Sequence, residues 1–374
     1  MVKKRNEIIP HPVFFIVTIL LTIIISSLTT FLLINKNNQM REATISPETL
    51  KTMMGYKSIN EIPLKTIDTR NTALNFVMKN GTKEFHLTAE PIRWEYNLKQ
   101  TVLAWGYNGQ IPGPEIRVTE GDKVRIILEN KLPQPTTIHW HGIDVPNSQD
   151  GMPGITQEPI QPGQKYTYEF IAKPAGTRYY HTHGAAQHNE ARQLDMGLSG
   201  AFIIEPKIKE HYDREYTLLL DEWSVLPDGT NEVLVENHQG QIHSNYNVFT
   251  INGKSFPDID PLVVNTGEKV HIRLINAGTS TTHPMHLHGQ SFKVISADGN
   301  PIPKVAQLTR DTISIAPGER YDIEINATNP GRWYFHCHEL HHTEGGMAIQ
   351  FNYDDYNMKK ERVEPVKKPS KMMH

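Results

Sequence analysis

The chain has 374 residues, 38% of them hydrophobic, and a net charge of −3. That length suits two or three domains, and the near-neutral charge gives no reason to expect a nucleic-acid partner. A single cysteine, Cys337, excludes an intrachain disulfide framework and leaves that thiol as a core residue or a metal ligand.

Residues 1–35 read as a signal anchor. Val13 to Ile34 carry no charge and are nearly all apolar or Ser/Thr, long enough to span a bilayer as a helix. Lys3, Lys4 and Arg5 precede the span, so the positive-inside rule leaves the rest of the chain outside. The alternative is a cleaved signal peptide, whose apolar core would be shorter and end at a small-residue site. Asn35-Lys36-Asn37-Asn38 follows instead. The expected location is the cell membrane, single-pass, with the later domains extracytoplasmic; cleavage would make the protein secreted. Residues 36–80 are polar and weakly periodic and read as an extracytoplasmic linker, with room for a short docked segment.

The body contains an internal repeat. Gly121-Asp122-Lys123-Val124-Arg125-Ile126 matches Gly267-Glu268-Lys269-Val270-His271-Ile272, and His139-Trp140-His141-Gly142 matches His286-Leu287-His288-Gly289. Pro162-Gly163-Gln164-Lys165-Tyr166 matches Pro317-Gly318-Glu319-Arg320-Tyr321. Gly176-Thr177-Arg178-Tyr179-Tyr180-His181 matches Gly331-Arg332-Trp333-Tyr334-Phe335-His336. Four matches in one order mean two copies of one domain. Each copy alternates short apolar strands with Pro-Gly or Asn-Gly turns, which predicts antiparallel β-sandwiches. The expected fold is all-β, with domains over 81–210 and 211–353, a boundary near Pro206 to Tyr216, and a tail over 354–374.

Four histidine-rich blocks carry the chemistry: His139-Trp140-His141-Gly142, His181-Thr182-His183-Gly184, His283-Pro284-Met285-His286-Leu287-His288-Gly289 and His336-Cys337-His338. Imidazoles with one thiolate are a transition-metal ligand set. Side chains at i and i+2 of a strand share a face. His139 pairs with His141, His181 with His183, His286 with His288, and His336 with His338, while Cys337 faces the other way. A thiolate-bound metal on one side of the strand is thus joined by a few backbone bonds to a histidine-bound cluster on the other. A blue copper site takes two His, one Cys and a weak axial ligand such as Met. His342 and Met347 follow Cys337 by five and ten residues, and His283 opens the third block, where Pro284 is expected to break the alternation and let it aim elsewhere.

These blocks, in this order, closely resemble the multicopper oxidase family over residues 85 to 353. The resemblance implies tandem cupredoxin-like Greek-key domains. It also implies four coppers per functional unit. Type 1 copper would take His283, Cys337, His342 and Met347, and type 2 would take His139 and His286. One type 3 copper would take His141, His181 and His338, and the other His183, His288 and His336. Thr182 stands where a domain 1 type 1 cysteine would be, which resembles two-domain laccases with type 1 copper only in the second domain. Such relatives build the trinuclear cluster between subunits, so the resemblance implies a homotrimer. It also makes Asp150 a proton-relay acid, although Asp150-Gly151 equally suits a turn.

The implied activity is laccase-like: a small reducing substrate such as a phenol gives electrons singly, and dioxygen is reduced to water. A cuprous or ferrous metallo-oxidase is the alternative, with a copper nitrite reductase and a non-enzymatic copper-binding protein behind it. Thr343, directly after His342, counts against an acid-guided metal-ion site there. Nine histidines (His11, His86, His188, His211, His238, His243, His271, His341, His374) have no assigned role.

Overall fold

The computed structural model describes residues 45–66, 73–185, 190–234 and 245–356. The described residues within 45–225 and 229–356 form one compact unit. The expected span Val13–Ile34 and the tail from 357 lie outside the described residues. Among the described residues no helix is long and apolar enough to cross a membrane.

The chain is mostly β, and its sheets form two cupredoxin-like domains. In the first, Lys123–Asn130 lies between Thr82–Asn97, which runs parallel to it, and the antiparallel Lys165–Ile171. Its Val124, Ile126 and Leu128 alternate inward with half-exposed Arg125, Ile127 and Glu129, the period-2 pattern of a strand with one buried face. The facing sheet runs Gly113–Thr119, Ser199–Glu205, Gly176–His181 and His139–His141. Phe85, Trp105, Ile126, Trp140, Tyr168 and Phe202 fill the space between. Burying each large apolar side chain contributes about 2–3 kcal/mol.

The repeat seen in the sequence recurs strand for strand. Lys269–Asn276 lies between the parallel Arg214–Trp223 and the antiparallel Arg320–Asn326. Leu262–Val264 runs parallel to Ala348–Tyr353, as Gly113–Thr119 does to Ser199–Glu205. The second core gathers Leu218, Ile272, Leu287, Phe292, Ile323, Phe335 and Phe351.

The region that reads as a linker contains a docked segment. Ser46 Oγ accepts from Thr49 N at 3.0 Å, an N-cap, and Pro47 opens the helix Pro47–Met54, which ends at Gly55 with φ +73°. Leu50, Met53 and Met54 enter the first core, and Trp105 Nε1 donates to the Met53 carbonyl at 3.0 Å. Leu64–Lys65 then adds to the edge of Thr82–Asn97.

Two apolar clusters join the domains. Trp94, Val102 and Ile111 pack with Trp223, and Tyr179, Ala201 and Ile203 pack with Leu219, Ile275 and Ala277. Arg178 crosses between them, donating to the carbonyls of Asp298 at 2.5 Å and Gly299 at 3.2 Å.

Candidate metal centres

The strand His283–Leu287 carries two sets of ligands on opposite faces. Its burial alternates, with His283, Met285 and Leu287 inward and Pro284 and His286 outward. Alternation therefore continues through Pro284. His283 parts from His286 because their offset is odd, not because proline breaks the strand. Met285 lies opposite Cys337, and His286 opposite His336, so Cys337 and His283 share the inner face.

His342 completes that inner group from the helix Leu340–Glu344, which Glu339 caps through His342 N at 3.0 Å. His283 Nδ1 and His342 Nδ1 are 3.2 Å apart, and Cys337 Sγ lies 3.9 and 3.6 Å from them. Met347 is fully buried, directly before the strand Ala348–Tyr353 that pairs with the Cys337 strand. Its carbonyl accepts from Cys337 N at 3.0 Å. Burial pushes the Cys337 thiol up to about 12, so a metal taken there must displace its proton.

The outer histidines form two separate quartets. In the first domain, the rings of His139, His141, His181 and His183 lie 4.7 to 5.7 Å apart. In the second, His286, His288, His336 and His338 lie 5.0 to 5.7 Å apart. Among the described residues, no ring contact or hydrogen bond joins one quartet to the other. His288 and His338 are exposed.

The hydrogen bonds decide which nitrogens are available. His139 Nδ1 donates to the Asp150 carbonyl at 2.9 Å and His181 Nδ1 to the Thr182 carbonyl at 2.9 Å. His286 Nδ1 donates to the Asp311 carbonyl at 2.9 Å and His336 Nδ1 to the Cys337 carbonyl at 2.8 Å. A carbonyl fixes the proton on Nδ1 and leaves a bare lone pair on Nε2. His181 Nε2 then faces His141 Nδ1 at 3.3 Å, and His336 Nε2 faces His288 Nε2 at 3.0 Å. Such convergence suits a cation shared between the rings. Burial, followed by the nearby Arg320 guanidinium, lowers the His141 pKa to about 3, which keeps that ring a neutral ligand. These donor sets fit copper: imidazole with one thiolate on the inner face, imidazole alone on the outer.

Two multicopper oxidase family models match the chain, one over residues 88–209 and one over residues 230–357. The chain belongs to the multicopper oxidase family. It is 34% identical to a blue copper oxidase from Nitrosomonas europaea, with a TM-score of 0.65 over 75% of this chain and 91% of that one. It is 33% identical to the multicopper oxidase mgLAC, with a TM-score of 0.66 over 76% and 90% of the two chains. A multicopper oxidase of Staphylococcus aureus is 30% identical over 254 residues, 66% of this chain and 54% of that protein. The chain thus spans about half the length of the curated relatives it matches.

In this multicopper oxidase family member, the first domain replaces its inner metal group with a neutral knot. Aligned on the repeat, Thr136 and Thr182 stand where the second domain has His283 and Cys337. Both hydroxyls donate to Gln193 Oε1 at 2.7 Å, and all three residues are fully buried. Gln193 Nε2 is held by the Pro135 carbonyl at 2.8 Å.

Asp150 sits beside His139, its Oδ1 3.4 Å from Nδ1. The turn role is also visible. Gly151 has φ +84°, and a Cβ there would lie 1.8 Å from the Ile138 carbonyl oxygen, so only glycine fits. Of the unassigned histidines, His11, His188, His238, His243 and His374 lie outside the described residues.

Several residues around the ligands carry no local sequence signal. Glu222, fully buried on the strand Arg214–Trp223, lies 3.5 Å from His283 Nε2. It accepts from Ser280 N at 2.9 Å and from the Thr281 hydroxyl. Phe249 stacks on His342 with centroids 4.1 Å apart. Glu190 lies 3.1 Å from His183 Nδ1. The Thr343 hydroxyl donates to the Cys337 carbonyl. Glu339, 3.2 Å from His342 Nε2, and Thr343 are the exceptions, lying within a few positions of the fourth block.

Proposed function

We propose that the protein is a laccase-like oxidase that couples one-electron oxidation of a small reducing substrate to four-electron reduction of dioxygen to water. The observation that carries this reading is the pair of ligand sets on opposite faces of two paired strands, His283 and Cys337 inward, His286 and His336 outward. In this reading His283, Cys337, His342 and Met347 hold type 1 copper, and His139 with His286 holds type 2. His141, His181 and His338 hold one type 3 copper, and His183, His288 and His336 the other. Bound there, copper supplies the one-electron chemistry and the site of oxygen reduction.

The chain's own groups supply the rest. Cys337 joins the inner sulfur to His336 and His338 through adjacent backbone bonds. Phe249 and Glu222 hold the rings of His342 and His283. Asp150, 35% exposed beside His139, moves protons between solvent and the cluster. The two separate quartets support a homotrimer in which domain 1 of one subunit meets domain 2 of the next, a head-to-tail contact that closes into a ring. The domains follow Greek-key connections over 81–210 and 211–353, held outside the cell membrane by the segment 1–35.

The test is dioxygen uptake by the copper-loaded protein with a phenol, beside the visible spectrum and a Cys337→Ser control. A blue protein whose oxygen uptake with reductant disappears in the control is the expected result. A blue protein that takes up no oxygen with any donor would overturn it and direct attention to nitrite.

A metallo-oxidase is the second reading, favoured by Glu339. Its carboxylate is 39% exposed and 3.2 Å from His342 Nε2, placed to receive a cation such as Cu(I) or Fe(II). Glu339→Gln would then raise KM for metal ions and leave KM for a neutral phenol nearly unchanged.

A further inference from the structure

A cleft of about 710 Å³ opens between the two domains of the chain, sharing no residue with the ligand sets above. One wall is the end of the domain 1 strand Ser199–Glu205, whose Ile203 and Ile204 side chains are buried on its two faces. The other is the outer sheet of domain 2, with Ile295 and Ser296, and Ile302 lies beside Ile295 in it, its N–H donating to the Ile295 carbonyl at 2.8 Å. Ile295 and Ile302 thus give the cleft an aliphatic side, and charged residues line the rest.

The charges sort into paired and unpaired groups. Lys209 lies 2.7 Å from Glu215 and 3.3 Å from Glu205, and Arg273 lies 2.8 Å from Glu215. Lys269 lies 2.7 Å from Glu210 and 3.0 Å from Glu324. Asp322 faces His271 at 3.4 Å. Every acid lining the cleft thus has a cationic or imidazole neighbour. Lys293 and Lys304 also line it, and among the described residues neither makes an ion pair at contact distance. Lys304 acts on Glu210 only through the longer-range field, and Glu210 is already held by Lys269. These two lysines are the positive charge left for a ligand.

A second observation points inward. Ser296 is only 7% exposed, lines the cleft, and its hydroxyl has no hydrogen-bond partner. A buried hydroxyl without a partner costs about 1–3 kcal/mol and calls for a bound group.

We propose that this cleft binds a small amphipathic organic carboxylate. Its anionic head lies between Lys293 and Lys304, its apolar body lies against Ile295 and Ile302, and water or a ligand hydroxyl reaches Ser296. Because the walls come from different domains, an occupant ties domain 1 to domain 2. The inference does not depend on the oxidase reading.

The probe is phenylacetate, which has the head and body but no phenol to be oxidised. Isothermal titration of the full-length protein should show saturable binding and a ligand-dependent rise in Tm, with benzyl alcohol giving neither. Lys293→Ala/Lys304→Ala, two changes at the mouth, should weaken binding roughly tenfold or more without altering the Tm of the free protein. Filling the cleft with Ser296→Phe should abolish the ligand-dependent Tm rise. The absence of saturable phenylacetate binding, or equal binding by wild type and the double-lysine variant, would overturn the proposal.

Discussion

The hydroxyls of Thr136 and Thr182 lie 3.0 Å apart in the core of domain 1, at the two positions where the repeat puts His283 and Cys337 in domain 2. Gln193 Oε1 accepts from both at 2.7 Å. One architecture thus fastens the same place with neutral hydrogen bonds in one copy and a soft-metal ligand set in the other.

Gln193→Leu removes the shared acceptor, so only one of the two buried hydroxyls can still donate, to the other, and the Pro135 carbonyl loses its donor. The expected loss is about 2–4 kcal/mol, read by urea denaturation with no metal present. Thr136→Val/Thr182→Val/Gln193→Leu removes the three polar side chains together, leaves the Gly184 N–H and the Pro135 carbonyl without these partners, and should recover part of that loss. A triple variant less stable than Gln193→Leu alone would show that the knot is not one coupled unit.

Subunit sharing of the outer histidines has a sharp test. His139→Ala and His286→Ala should each be inactive alone. Co-assembled, the two variants should regain part of the wild-type oxygen uptake, because an intact domain 1 from one chain meets an intact domain 2 from the other. Clusters built within a single chain would give no recovery at any mixing ratio.

Asp150→Asn keeps the backbone carbonyl that orients His139 and removes the titratable group. Copper content should stay at the wild-type level while kcat for oxygen uptake falls roughly a hundredfold. Unchanged kcat would leave Asp150 with the turn alone.

Burial raises the Asp195 pKa to about 7, opposed by the hydroxyls of Thr279 and Tyr246 that donate to Oδ1. Its unfolded value is about 3.9, so between about pH 4 and pH 7 the folded state holds a proton that the unfolded state has lost. Stability from this group is present below about pH 4 and is lost as pH rises to about 7. Asp195→Asn should flatten that part of the unfolding free energy against pH by a few kcal/mol. Equal slopes for the two proteins would show that Asp195 ionises normally.

The strands and the histidine clusters were legible because each is a short-range pattern, and the duplication because four such patterns recur in one order. The run Val124, Ile126, Leu128 fixes a strand face, and the block His336-Cys337-His338 fixes a two-faced ligand strand. The residues that support the ligands were not legible. Glu222 reaches His283 from 61 positions away in the chain, and Phe249 reaches His342 from 93 away. Nothing in their local sequence marks a contact that only tertiary packing creates. The helix Pro47–Met54 was hidden for a different reason: a helix of about two turns is too short for its apolar period to stand out from a polar segment.

The exposed rings of His288 and His338 give dilution a chemical meaning. In the proposed trimer each quartet offers a metal only part of a coordination sphere, and the remainder arrives on another copy of the chain. Below the concentration at which subunits meet, folded protein with an intact inner copper site would still be inert towards oxygen. Specific activity should therefore climb with protein concentration and level off, and any agent that parts the subunits would act as an inhibitor without touching a ligand.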